Sequence, residues 1–185
     1  DNDEPEVFLD PNKFSNDGTT SLAGVSFSKN ASLVAYSISE GGADWRKVVV
    51  MNTKTKEIIG DTLKDVKFSG LSWKNNDGFF YSSYDNPSEE NKSELSAKTQ
   101  YHKLYFHRLN TPQAQDKLVY GGNKQPNRYV SGSVTEDQRY LAIYAGQNTS
   151  GRQLYIQDLT VPGSKPIKIQ GDYFARASVI TNKNK

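Results

Sequence analysis

Cysteine is missing from this 185-residue chain, which excludes disulfides, thiol catalysis and cysteine-held metals. No apolar run approaches the roughly 18 residues of a membrane-spanning helix, and no signal-peptide core opens the chain. The expectation is a soluble protein, cytoplasmic or periplasmic, with no membrane partner. Charge of neither sign dominates: 23 Lys and Arg stand against 21 Asp and Glu, a net of +2. They form no basic stripe of the kind a phosphate backbone requires, so nucleic acid is not expected as a partner. Histidine is scarce, with His102 and His107 alone. They lie five residues apart on a predicted strand, so they point to opposite faces and cannot pair locally. Both read as structural. The chain has no G-x-S-x-G, H-E-x-x-H or phosphate-binding P-loop pattern. The acidic start lacks the glycine turn and closing glutamate of a calcium loop, so no metal or cofactor is expected.

Helical periodicity is nearly absent as well, whereas short β-rich runs recur between polar turns. Val25-Ser26-Phe27-Ser28 and Leu33-Val34-Ala35-Tyr36 flank one turn. Leu71-Ser72-Trp73 and Phe79-Phe80-Tyr81 flank a second, and Ser133-Val134 and Tyr140 to Tyr144 a third. In the second turn, Asn75-Asn76-Asp77-Gly78, the glycine is expected to supply a positive φ. Each hairpin leads to a third strand, at Lys47–Met51, Lys103–Phe106 and Gln153–Ile156. A shorter fourth run follows, at Ile58-Ile59, Leu118–Tyr120 and Ile167–Ile169.

Taking Phe27, Trp73 and Val134 as equivalent, the units repeat at roughly 46 and 61 residues, the longer interval holding a polar insertion near 85–100. Four-stranded units at such a period predict β-propeller blades; a single large sandwich is the alternative. The predicted fold is all-β, about three four-stranded antiparallel blades. The blades are expected at 25–65, 66–125 and 126–171, with 1–24 as the end of a preceding blade and its connector, and 172–185 as the start of a following one. Val7-Phe8-Leu9 and Ser178-Val179-Ile180-Thr181 are the strands expected in those flanks. Three blades cannot close a ring, so the chain is expected to be a piece of a larger propeller, with exposed edges that favour self-association.

Several segments resemble the propeller of the prolyl oligopeptidase family. These are Phe8-Leu9-Asp10-Pro11-Asn12 with Asp17-Gly18-Thr19; Phe27-Ser28 and Ala35 to Ser39 with Gly41 and Asp44-Trp45; and Val66-Lys67-Phe68-Ser69 with Trp73 and Gly78 to Tyr81. His102 to Tyr105 and Asp137 to Tyr140 continue in the same order. The resemblance implies a seven-bladed propeller over an α/β-hydrolase domain that holds a Ser–Asp–His triad and cleaves short peptides after proline. None of those catalytic residues is expected in this chain, which alone is expected to be inactive. Its partners would be the hydrolase domain of the same polypeptide and short proline-containing peptides.

The resemblance carries over Phe68 as a residue lining the substrate cavity, and Asp44 with Trp45 as residues of the interdomain interface. An ordinary core aromatic and a turn-capping carboxylate remain the alternatives for these positions. The family's substrate-binding arginine has no match in Ala145 to Gly151, and Arg152 lies too near the next strand to take its place. A non-enzymatic binding module and the propeller of a sister oligopeptidase are the other functional readings.

Overall fold

The computed structural model describes residues 6–84, 100–123 and 126–182. It contains twelve named strands in three four-stranded antiparallel sheets. The first sheet comprises β1 (Thr20–Phe27), β2 (Leu33–Glu40), β3 (Arg46–Asn52) and β4 (Leu63–Val66). The second holds β5 (Ser72–Lys74), β6 (Gly78–Ser83), β7 (Lys103–Arg108) and β8 (Lys117–Gly121). The third holds β9 (Tyr129–Val134), β10 (Tyr140–Gly146), β11 (Arg152–Asp158) and β12 (Ile167–Gln170). In every sheet each strand pairs with its sequence neighbour, the meander of a propeller blade. The polar insertion expected at 85–100 lies almost wholly outside the described residues.

The central strands are apolar on both faces because both faces are covered, by a neighbouring sheet or by a flanking segment. Leu33, Ala35, Val48 and Val50 face the second sheet, where they meet Trp73, Phe79 and Tyr81. The alternate residues Val34, Tyr36, Val49 and Met51 face the other way, under Phe8, Leu9 and Phe14. On β6, Phe80 turns from that first core into the next, with Leu104, Leu141, Ile143 and Tyr155. The inner strands are tied across the sheets by hydrogen bonds. Trp73 Nε1–H donates to Ser26 O (2.9 Å), Ser26 Oγ–H to Leu71 O (3.0 Å), and Val134 N–H to Ser72 Oγ (2.8 Å).

The first and third hairpin turns repeat one device. Ser28 and Thr135 each accept, through the side-chain oxygen, the amide of the returning strand's first residue, Leu33 (3.1 Å) or Tyr140 (2.9 Å). Asn30 and Asp137 each accept an amide two residues on, from Ser32 or Arg139. Ala31 and Gln138 then take positive φ values of 56° and 64°. The middle turn is built differently. Positive φ values fall on Asn75 (47°) and, as expected, on Gly78 (158°), which is also required for close approach: a Cβ there would lie 2.0 Å from His107 O.

Three details depart from the sequence reading. The first strand begins at Thr20, five residues ahead of Val25, because a register shift between Leu22 and Gly24 interrupts the alternation that would have revealed it. The fourth strand of that sheet is Leu63–Val66 rather than Ile58-Ile59. Ile58 makes only an isolated bridge to Met51, and the chain turns at Gly60 (φ 68°) before pairing resumes. Neither Val7-Phe8-Leu9 nor residues 178–181 forms a strand. A ladder needs a backbone alongside, and Phe8 and Leu9 instead lie across the outer face of the first sheet.

Candidate functional site

A four-stranded meander sends its second-to-third turn and its exit to the next sheet out of the same end. Residues 41–45 and 67–71, the end of β6, the start of β7 and the start of β9 therefore gather on one side of the arc. The hairpin tips 28–32, 75–77 and 135–139 lie on the other.

On the first side an aromatic cluster assembles from all three sheets. Phe68 packs edge-on against Tyr84 (centroids 6.3 Å apart) and Tyr129 (5.9 Å), and Trp45 edge-on against Tyr84 (6.3 Å). His102 lies 4.6 Å from Tyr84 and 6.0 Å from Tyr129. Lys67 is buried beneath, its side chain 8% exposed, with Nζ 4.9 Å from the Trp45 ring centre and 5.2 Å from that of Phe68. Asp44 Oδ2 stands 3.9 Å from the same Nζ. The three residues carried over from the resemblance thus meet around one lysine. Asp44, expected at an interdomain interface, has a basic neighbour within this chain, although its carboxylate stays two-thirds exposed.

Phe68 is 45% exposed and has a φ of 51°, a left-handed conformation disfavoured for a bulky side chain, costing about 1–2 kcal/mol. Its loop is fastened on both sides. Ser69 Oγ accepts the Ser82 amide (2.7 Å), Ser83 Oγ–H donates to Asp65 O, and His102 holds Lys67 O (3.0 Å). Since Nδ1 of His102 accepts the Val130 amide (2.9 Å), Nε2 carries the proton and donates to Lys67 O. The ring is therefore neutral and joins the first sheet's exit, at Lys67, to the third sheet's first strand, at Val130. Burial lowers its pKa below the ordinary histidine value, against the raising effect of the bond to Lys67. Burial, with a contribution from Tyr129, raises the Tyr84 hydroxyl above the usual phenol range, and that hydroxyl has no hydrogen-bond partner among the described residues.

His107 faces away, as its spacing predicts, and belongs to a second buried group. Its Nδ1 lies 2.8 Å from Asp116 Oδ1, and the Tyr81 hydroxyl donates to Asp116 Oδ2 (2.8 Å). Burial and the adjoining carboxylate push the Tyr81 hydroxyl far up. Both carboxylate oxygens are thus engaged, and the imidazole packs 5.4 Å from the Phe79 ring, so the group braces the sheet and offers no nucleophile. Among the described residues no three His, Cys, Asp or Glu side chains converge in a metal-holding group, and no helix is long and apolar enough to cross a membrane.

Arg152 stacks on Tyr144 (4.0 Å) and donates to Ser178 Oγ (2.7 Å). Arg128, beside Tyr129, stacks on Tyr173 (4.6 Å) and donates to Gln153 Oε1 (2.6 Å). The sequence reading gave no role at this site to Lys67, Tyr84, Tyr129 or Arg128, and took His102 as structural. The one available signal was the adjacency of Lys67 to Phe68.

Residues 1–185 match the family described as the prolyl oligopeptidase N-terminal β-propeller domain over their whole length. The chain belongs to that family. It is 60% identical over 154 residues to a prolyl endopeptidase of Elizabethkingia miricola, covering 83% of this chain and 22% of that protein. Prolyl oligopeptidase A of Amanita bisporigera is 36% identical, with the same two shares covered. Among solved structures, prolyl oligopeptidase B from Galerina marginata bound to a 25mer macrocyclization substrate superposes with a TM-score of 0.86 at 25% identity, covering 96% of this chain and 26% of that one. The chain thus spans about a fifth to a quarter of the length of these relatives. The family match and the three four-stranded sheets agree with the partial propeller expected from the repeat.

Proposed function

We propose that this chain is the part of a proline-specific serine oligopeptidase that walls the substrate cavity, and that Phe68 contacts the bound peptide. The supporting observation is the aromatic cluster: a half-exposed phenyl ring held in a disfavoured backbone conformation, with its loop fastened to β6 and His102. Such pre-organisation lets apolar substrate groups dock at little entropic cost. The reaction itself, cleavage of short peptides after proline by a Ser–Asp–His triad, is assigned to an α/β-hydrolase domain of the same polypeptide. The propeller restricts access to short flexible peptides and excludes water.

Asp44 and Trp45 border that domain in this reading, the exposed carboxylate reaching a basic group there while Lys67 steadies it from behind. The described segments ahead of β1 and after β12 are assigned to junctions with neighbouring blades. In the whole enzyme, Phe68→Ala is expected to raise KM for a proline-containing chromogenic peptide about three- to thirtyfold while kcat falls less than threefold, the loss of one aromatic contact worth roughly 1–2 kcal/mol. An unchanged KM would refute the assignment.

A further inference from the structure

We infer that the cleft between the second and third sheets, on the side away from the aromatic cluster, binds a small organic anion with an apolar body. The cleft has a volume of about 490 Å³, within the range that accepts a drug-sized ligand. Both of its walls belong to sheets of this chain. Phe80, Phe106, Leu118 and Leu159 supply an apolar lining, and Leu118 is 54% exposed although it sits in a concavity.

Lys74, Arg108, Lys117 and Lys165 also line the cleft, against the single carboxylate of Asp77. Lys74 is engaged, its ammonium donating to Gln138 O. The charged groups of Arg108, Lys117 and Lys165 have no hydrogen-bond or ion-pair partner among the described residues.

Other surface charges are paired, as at Lys29–Glu136 between the first and third hairpin turns and Arg139–Asp158 within the third sheet. Here three cations converge unneutralised around apolar surface. A carboxylate attached to an aromatic or aliphatic body satisfies both features: the body covers the lining and the anion sits among the cations. Phosphate alone would leave the apolar lining wet, and an uncharged aromatic would leave the cations unpaired. The inference is independent of the peptidase reading, since the cleft shares no residue with the aromatic cluster.

Titration of the whole protein with indole-3-acetate, followed calorimetrically at low ionic strength, tests it. The carboxylate is expected to bind at least tenfold more tightly than the isosteric indole-3-acetamide, and acetate at least tenfold more weakly than indole-3-acetate. The preference should shrink as salt is raised, because the cations are exposed and screened. Lys117→Glu with Lys165→Glu should lower the affinity for indole-3-acetate at least tenfold without changing circular dichroism, both side chains being exposed. Leu118→Asp, on the same exposed strand, should do the same by removing apolar contact and repelling the anion. Equal binding of acid and amide, or binding untouched by both variants, would overturn the inference.

Discussion

Replacing His102 by alanine leaves two buried backbone groups, the Val130 amide and the Lys67 carbonyl, without their partners. Each orphaned group costs about 1–3 kcal/mol, so the ties of His102 to the third sheet and to the first sheet's exit should together weaken by about 2–6 kcal/mol. Water entering the space left by the ring would keep the loss toward the lower end. The effect is local and can be read without unfolding the whole protein. The Val130 bond alone carries about 1–3 kcal/mol of this, so with about 1.4 kcal/mol per factor of ten, hydrogen exchange at the Val130 amide should accelerate between about fivefold and 150-fold. The Leu141 amide, deep in the same sheet but remote from the imidazole, serves as the reference.

Conservative variants separate the two bonds. His102→Asn places an oxygen near the position of Nδ1 and should protect Val130 while releasing the Phe68 loop. His102→Gln places a donor near Nε2 and should do the reverse. Exchange at Val130 unchanged in His102→Ala, relative to Leu141, would refute the role given to this ring.

Acidification should withdraw the same support. The folded-state pKa of His102 is lowered, so the unfolded chain binds more protons below about 6.5; stability is full above that pH and declines as pH falls through it, levelling once the folded ring is protonated. The thermal midpoint between pH 7.5 and 5.5 should therefore drop more in the wild type than in His102→Asn, and equal slopes would contradict the assignment. Gly78→Ala should destabilise by about 1–3 kcal/mol or more, because its methyl meets a backbone oxygen that cannot swing aside. A shift in the urea midpoint of less than about 0.3 M would show that β6 and β7 separate more easily than their pairing implies.

Much of the architecture could be read directly from the residues. Buried central strands such as Leu33 to Tyr36 announce themselves as unbroken apolar runs, and the turn chemistry of Ser28 to Ser32 and Thr135 to Arg139 recurs openly. Edge strands were harder to place. Leu63–Val66 buries only its two ends and carries Lys64 and Asp65 outward, so it looks less like a strand than Ile58-Ile59 does.

The site was legible in a narrower way. Phe68, Asp44 and Trp45 came from resemblance, whereas their mutual contact through Lys67 had no sequence signature, because a lysine is read by default as solvated. His102 and His107 were both read as structural, and the structure gives them distinct tasks. Asp116, nine residues from His107, meets it only because a strand turns back along its neighbour at a spacing that no local rule encodes.

Photo-cross-linking from position 68 addresses the central claim most directly. A benzophenone side chain replacing Phe68 in the whole enzyme should capture a bound proline-containing peptide, with the yield suppressed by excess unlabelled peptide. The same probe at Val161, an exposed residue of the β11–β12 turn on the opposite side of the arc, serves as the comparison. Equal, non-competable labelling from the two positions would contradict the account.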